Sequence, residues 1–279
     1  HKIARVKARL RLDDVGISKL VQMQPAVLGY SIEDALEPKL AWLETRLELD
    51  DVGISKLVKK LPSVLYNSIE QNLEPKLAWL KARLDLDDAG ICKLVKTLPS
   101  VLGLSIDDNL EPKLLWLKAR LKLDDEAIGK LVKTQPGVFC YSIDDNLEPK
   151  LAWLKKRLNL DDKAIGKLVK TMPPILGVSI EENLDPKLAW LEARLELDDV
   201  GICKLVKTLP SVLNYSIEQN LEPKLGWLQA RLDLDDEAIG KLVKKWPAVL
   251  GLSADDNLEP KLVWLQKRLV LDDASLSVV

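Results

Sequence analysis

Two rows of cations recur along the chain at fixed spacing. One is a lysine pair: Lys56 and Lys59, Lys93 and Lys96, Lys130 and Lys133, Lys167 and Lys170, Lys204 and Lys207, Lys241 and Lys244. An earlier copy has Lys19 and then Gln22. Ammonium groups along one face can contact phosphates without reading bases. The same pattern also describes a solvated helix face. The second row is Asn72, Lys76, Trp79 and Arg83, and its cations recur as Lys113 and Arg120, Lys150 and Arg157, Lys187 and Arg194, Lys224 and Arg231. A basic row with an interleaved aromatic is one way to hold nucleic acid. Its alternative is a seam between repeats. There Trp79 fills the inter-repeat core, Asn72 bonds a neighbouring turn and Arg83 meets a carboxylate of the next copy.

Other chemistry is thinly supplied. The single histidine is His1. Asp-Asp pairs recur, but one stands at every helix start, where capping accounts for it. There is no metal-ligand cluster, glycine-rich phosphate loop or nucleophile–base pair, so no enzyme activity, cofactor or small-molecule substrate is expected. Cys92 and Cys203 occupy equivalent positions three copies apart, beyond disulfide reach in a stack. With Cys140 they are expected to be reduced.

The elements that position these residues follow from a period. Prolines at 25, 62, 99, 136, 173, 210 and 247 step by 37 residues, as does the tryptophan series from Trp42 to Trp264. Self-similarity at such a period marks a stacked-repeat architecture. We expect an all-α solenoid, a single array over 1–279. Its units lie near 12–48, 49–85, 86–122, 123–159, 160–196, 197–233 and 234–270, with partial repeats at both ends.

Within 49–85, Asp50 is the N-cap of a first helix whose stripe is Ile54, Leu57, Val58 and Leu61. Pro62 stops it, and Pro62–Leu65 suits a 3₁₀ turn. Ser68 opens a second segment, Ile69 to about Leu84, with a capping box to Gln71 and a break or kink near Glu74-Pro75. Leu73, Leu77, Leu80 and Leu84 form its core stripe. Copies differ in the loop after the 3₁₀ turn and near the first helix's end, as at Lys60, Thr97 and Lys245.

The formal net charge is −2, so bulk charge does not make this a basic nucleic-acid binder. No apolar run approaches the ~20 residues a membrane helix needs. The chain opens in mid-repeat, with His1 in the slot that later holds proline. An upstream part carrying any targeting segment is therefore expected.

The run Leu102 through Trp116-Leu117, then Leu121-Lys122-Leu123-Asp124-Asp125, then Lys130-Leu131-Val132 and Pro136, resembles the repeat of the mitochondrial transcription termination factor (mTERF) family. The resemblance covers essentially the whole chain. It implies two α-helices and a 3₁₀ helix per repeat, a curved superhelix, and location in a mitochondrion or chloroplast. It also implies binding of nucleic acid, double-stranded DNA before RNA, along a positive face in transcription termination or organelle gene expression. A protein partner within a larger assembly, or an engineered array without a native ligand, is the alternative of a different class.

Overall fold

Each first helix of the repeat starts where a carboxylate can answer its free N–H groups. The computed structural model describes residues 2–269. Asp50, at φ −81° and ψ 174°, accepts from Gly53 N–H at 2.7 Å and opens a helix over Asp51–Lys60. Asp13, Asp87, Asp124, Asp161, Asp198 and Asp235 cap their copies in the same way. The helix ends at Leu61, which leaves helical space at φ −137° and ψ 76°. A residue before proline is pushed out of the α region by the pyrrolidine ring. Pro62–Leu65 then forms the expected 3₁₀ turn.

Ser68 caps the next segment, its hydroxyl accepting from Gln71 N–H at 3.1 Å. The break expected near Pro75 is a change of hydrogen-bond register. Ile69–Leu73 is a π-helical turn in which Leu73 N–H reaches Ser68 O at 3.0 Å, and an α-helix, Glu74–Arg83, follows directly. Proline in an α-turn has no N–H to donate, and its ring strikes the carbonyl four residues back. One extra residue in the turn relieves that clash. The capping box is also altered. Where the third residue is Asp, the serine hydroxyl donates to its carboxylate, as from Ser105 to Asp108 at 2.9 Å. The second helix gives way to a left-handed residue at Arg11, Glu48, Asp85, Lys122, Asn159, Glu196 and Asp233, with φ between 45° and 52°.

The described residues make two compact units, His1–Tyr141 and Ser142–Val279. The first contains α1 (Lys2–Arg9), α2 (Asp14–Met23), α3 (Glu37–Leu47), α4 (Asp51–Lys60), α5 (Glu74–Arg83), α6 (Asp88–Thr97), α7 (Glu111–Leu121) and α8 (Asp125–Thr134). The second contains α9 (Glu148–Arg157), α10 (Asp162–Thr171), α11 (Asp185–Leu195), α12 (Asp199–Thr208), α13 (Glu222–Leu232), α14 (Asp236–Lys245) and α15 (Glu259–Leu269). Even-numbered helices are the first of each repeat and, from α4 on, carry the lysine pairs. Odd-numbered helices are the second. No strand occurs among the described residues.

Each unit is a stack. In the first, α3 packs on α6, and Leu73, Leu77, Leu80 and Leu84 are fully buried. In the second, α11 and α12 pack on α14, and Leu184, Leu188, Leu191 and Leu195 fill the equivalent core. Burying a leucine side chain contributes about 1.5–3 kcal/mol, so this stripe recurring through each stack dominates its stability.

Candidate functional site

The two cation rows have opposite fates. Lys76 is buried and donates to the Leu102 carbonyl at 2.6 Å, and Lys113 to that of Phe139 at 2.6 Å. In the second unit Lys150 donates to Leu176 O at 2.7 Å, Lys187 to Leu213 O at 2.6 Å and Lys224 to Leu250 O at 2.9 Å. Lys39 reaches the Asn67 carbonyl in the same way. Burial lowers the pKa of all six ammonium groups, because desolvation penalises the charged form.

The arginines of that row clamp acids further along the stack. Arg83 meets Glu111 at 3.1 Å and Asp125 at 3.1 Å. Arg157 meets Asp185 at 3.5 Å, Glu192 at 2.7 Å and Asp199 at 3.6 Å. Arg194 reaches Glu222 at 3.4 Å and Gln229 at 2.8 Å, and Arg231 reaches Glu259 at 2.8 Å. Arg120 is half-buried. The row is therefore a seam, with two corrections to the expected roles. Lysine bonds the neighbouring turn, whereas the buried Oδ1 of Asn72, Asn109, Asn146 and Asn220 has no partner. Tryptophan lines the seam half-buried and does not fill a core; Trp264, which no described repeat follows, is 62% exposed.

The paired lysines lie on the outside. All twelve, from Lys56 to Lys244, are exposed. Their helices bury the opposite stripe, as α4 does with Ile54, Leu57 and Val58. Neighbouring even-numbered helices enclose grooves. In the first unit Lys56 and Lys96 line a groove of about 600 Å³ floored by Leu57, Val95 and Pro99. Lys19 and Lys59 share another of about 290 Å³, and Lys93 and Lys133 one of about 130 Å³. In the second unit Lys167 and Lys207 share one of about 520 Å³ over Leu168, Val206 and Pro210. The rule is constant. The first lysine of one helix faces the second lysine of the next across an apolar floor. Two such ammonium groups can hold an anionic oxygen between them, and the apolar floor can take a flat or aliphatic group.

Sequence reasoning missed the residue four before the first lysine of each pair. It is Glu126 in α8 and Glu237 in α14, and each binds its lysine: Lys130 at 2.6 Å and Lys241 at 2.7 Å. These carboxylates raise the pKa of Lys130 and Lys241 through the hydrogen bond. The i,i+4 spacing was the available signal. The Asp-Asp pairs have structural work. Asp50 caps α4, while Asp51 receives Arg11 at 2.6 Å.

Cys92 and Cys203 are buried thiols and Cys140 is an exposed one. Among the described residues, no group of three or more His, Cys, Asp or Glu could hold a metal ion, and no helix is long and apolar enough to cross a membrane.

Comparison with known protein families matches residues 9–275 to the family described as mTERF. A search of curated proteins finds no match to the chain.

Proposed function

Since the chain belongs to the mTERF family, we propose that it binds nucleic acid, double-stranded DNA in first place, through phosphate contacts from its paired lysines. It acts in transcription termination or gene expression of a mitochondrion or chloroplast. The observation that carries this reading is the division of the cations. The seam consumes Lys76, Arg83 and their counterparts. The paired lysines stay exposed and face each other across shared grooves. A net charge of −2 is compatible with it, because the arginine clamps draw carboxylates into the seam. Phosphate contacts position a duplex and carry no sequence information, so this surface accounts for affinity and leaves base recognition unassigned.

The test is binding of a fluorescent duplex as a function of salt. With six to ten phosphate contacts, affinity should fall ~10³–10⁵-fold between 50 and 200 mM salt. Competition with single-stranded DNA and with RNA duplex ranks the three ligands. No binding to any of them at low salt overturns the reading in favour of a protein ligand.

A further inference from the structure

One position on the lysine-bearing face varies among copies far more than its neighbours. Four residues before the first lysine stand Val15, Val52, Ala89, Glu126, Lys163, Val200 and Glu237. The position does not serve packing. Val15 is 62% exposed and Val200 74%. It does line the grooves, where Val15, Val52 and Lys163 each border one.

The two glutamate copies differ from the rest in both lysines. In α8 and α14 the first lysine is held by Glu126 or Glu237. The second donates to the backbone carbonyl of a left-handed residue: Lys133 to Asp85 O at 3.4 Å, Lys244 to Glu196 O at 2.9 Å. Glycine brings these helices close to that chain end. A Cβ on Gly129 would lie 2.8 Å from Leu84 O, and one on Gly240 2.6 Å from Leu195 O. In α4 and α6, and in α10 and α12, the ammonium groups of the eight corresponding lysines have no hydrogen bond or ion pair among the described residues.

We propose that Glu126 and Glu237 set where phosphate contact stops in each unit. In the first unit α4 and α6 hold the backbone and α8 does not. In the second unit α10 and α12 hold it and α14 does not. Each glutamate neutralises an ammonium group and also places a negative charge on the lysine-bearing face, which repels phosphate. Lys163 does the reverse and makes α10 the most strongly attracting helix. An exposed i,i+4 pair adds little to stability, which leaves ligand selection as its effect. This inference rests on the nucleic-acid reading above.

The test compares the salt dependence of duplex binding for the intact chain, E126Q, E237Q, K130Q and K93Q. Each phosphate contact contributes about 0.9 to the slope of log affinity against log salt. E126Q and E237Q should each steepen the slope by about 0.9, and K93Q should reduce it by about 0.9. K130Q should leave it unchanged. All four sites are exposed, and unchanged thermal melts will certify the fold. If K130Q weakens binding as K93Q does and E126Q changes nothing, the glutamates do not delimit the contact and this proposal alone falls. If the intact chain fails to bind duplex, single strand or RNA at low salt, the nucleic-acid reading falls and takes the proposal with it.

Discussion

Lys76 Nζ and the Leu102 carbonyl oxygen lie 2.6 Å apart inside the seam. A backbone oxygen is a modest partner for a buried ammonium, and burial alone drives the pKa of Lys76 down. Five other lysines share the arrangement and the direction of shift.

Stability should therefore rise with alkalinity. A lysine whose folded pKa lies below its unfolded value of about 10.5 binds fewer protons when folded. Between those two values the unfolded chain holds more protons, so stability increases with pH across that window and is flat below it. Tyr66, Cys92, Lys130 and Lys241 have raised pKa values and pull the other way, four groups against six lysines. The urea midpoint at about pH 9.5 should exceed that at about pH 7. An equal or lower midpoint would show that the seam lysines are not desolvated.

The arginine clamp predicts a geometric requirement. Arg157 addresses Asp185, Glu192 and Asp199 with separate nitrogens. Lysine offers a single point charge in place of that fork. R157K should cost about 1–2 kcal/mol, since a hydrogen bond to a charged group contributes ~1.5–3 kcal/mol and partial exposure screens it. A double-mutant cycle between Arg157 and Glu192 should return a coupling of about 0.5–3 kcal/mol. A coupling near zero would mean that the clamp is incidental.

Two helix glycines should respond oppositely to alanine. At Gly129 a Cβ would lie 2.8 Å from Leu84 O, a backbone atom that cannot turn aside. G129A should destabilise by about 1–3 kcal/mol through overpacking. At Gly226 in α13 a Cβ would meet nothing within 4 Å. G226A should stabilise by about 0.5–1 kcal/mol, the ordinary gain in a helix interior. Chemical denaturation of both variants settles the contrast, and the same sign for both refutes it.

The left-handed residues give a stabilising prediction. Lys122 sits at φ 52°, where an L side chain costs about 1–2 kcal/mol. K122G removes that strain at the cost of a more flexible unfolded chain. A net gain of up to about 1 kcal/mol in denaturation is expected.

What the sequence disclosed divides by range. Asp50, Pro62 and Ser68 act within a few residues, so the caps, the stop and the 3₁₀ turn were readable. The leucine stripe was readable because its spacing marks one helix face. The fate of Lys76 was not. A row rotated from the core stripe can face solvent or a neighbour, and only the packed stack decides. The same gap moved the bond to the neighbouring turn from Asn72 to Lys76, and it placed Trp79 at the seam's edge. Glu126 is not marked by the repeat although its spacing to Lys130 is visible, because the position holds Val, Ala or Lys in other copies.

Arg157 finds its partners at offsets of 28, 35 and 42 residues. Those offsets repeat, so the chain behaves like a crystal in one dimension. Excising 160–196 whole would slide Glu222, Gln229 and Asp236 under Arg157, acids and an amide in the slots where Asp185, Glu192 and Asp199 now stand. A loss of one complete copy is then a lattice slip and not a defect. Such a chain can change its length by whole internal copies while every arginine clamp keeps a carboxylate at offsets of 28 and 42 residues.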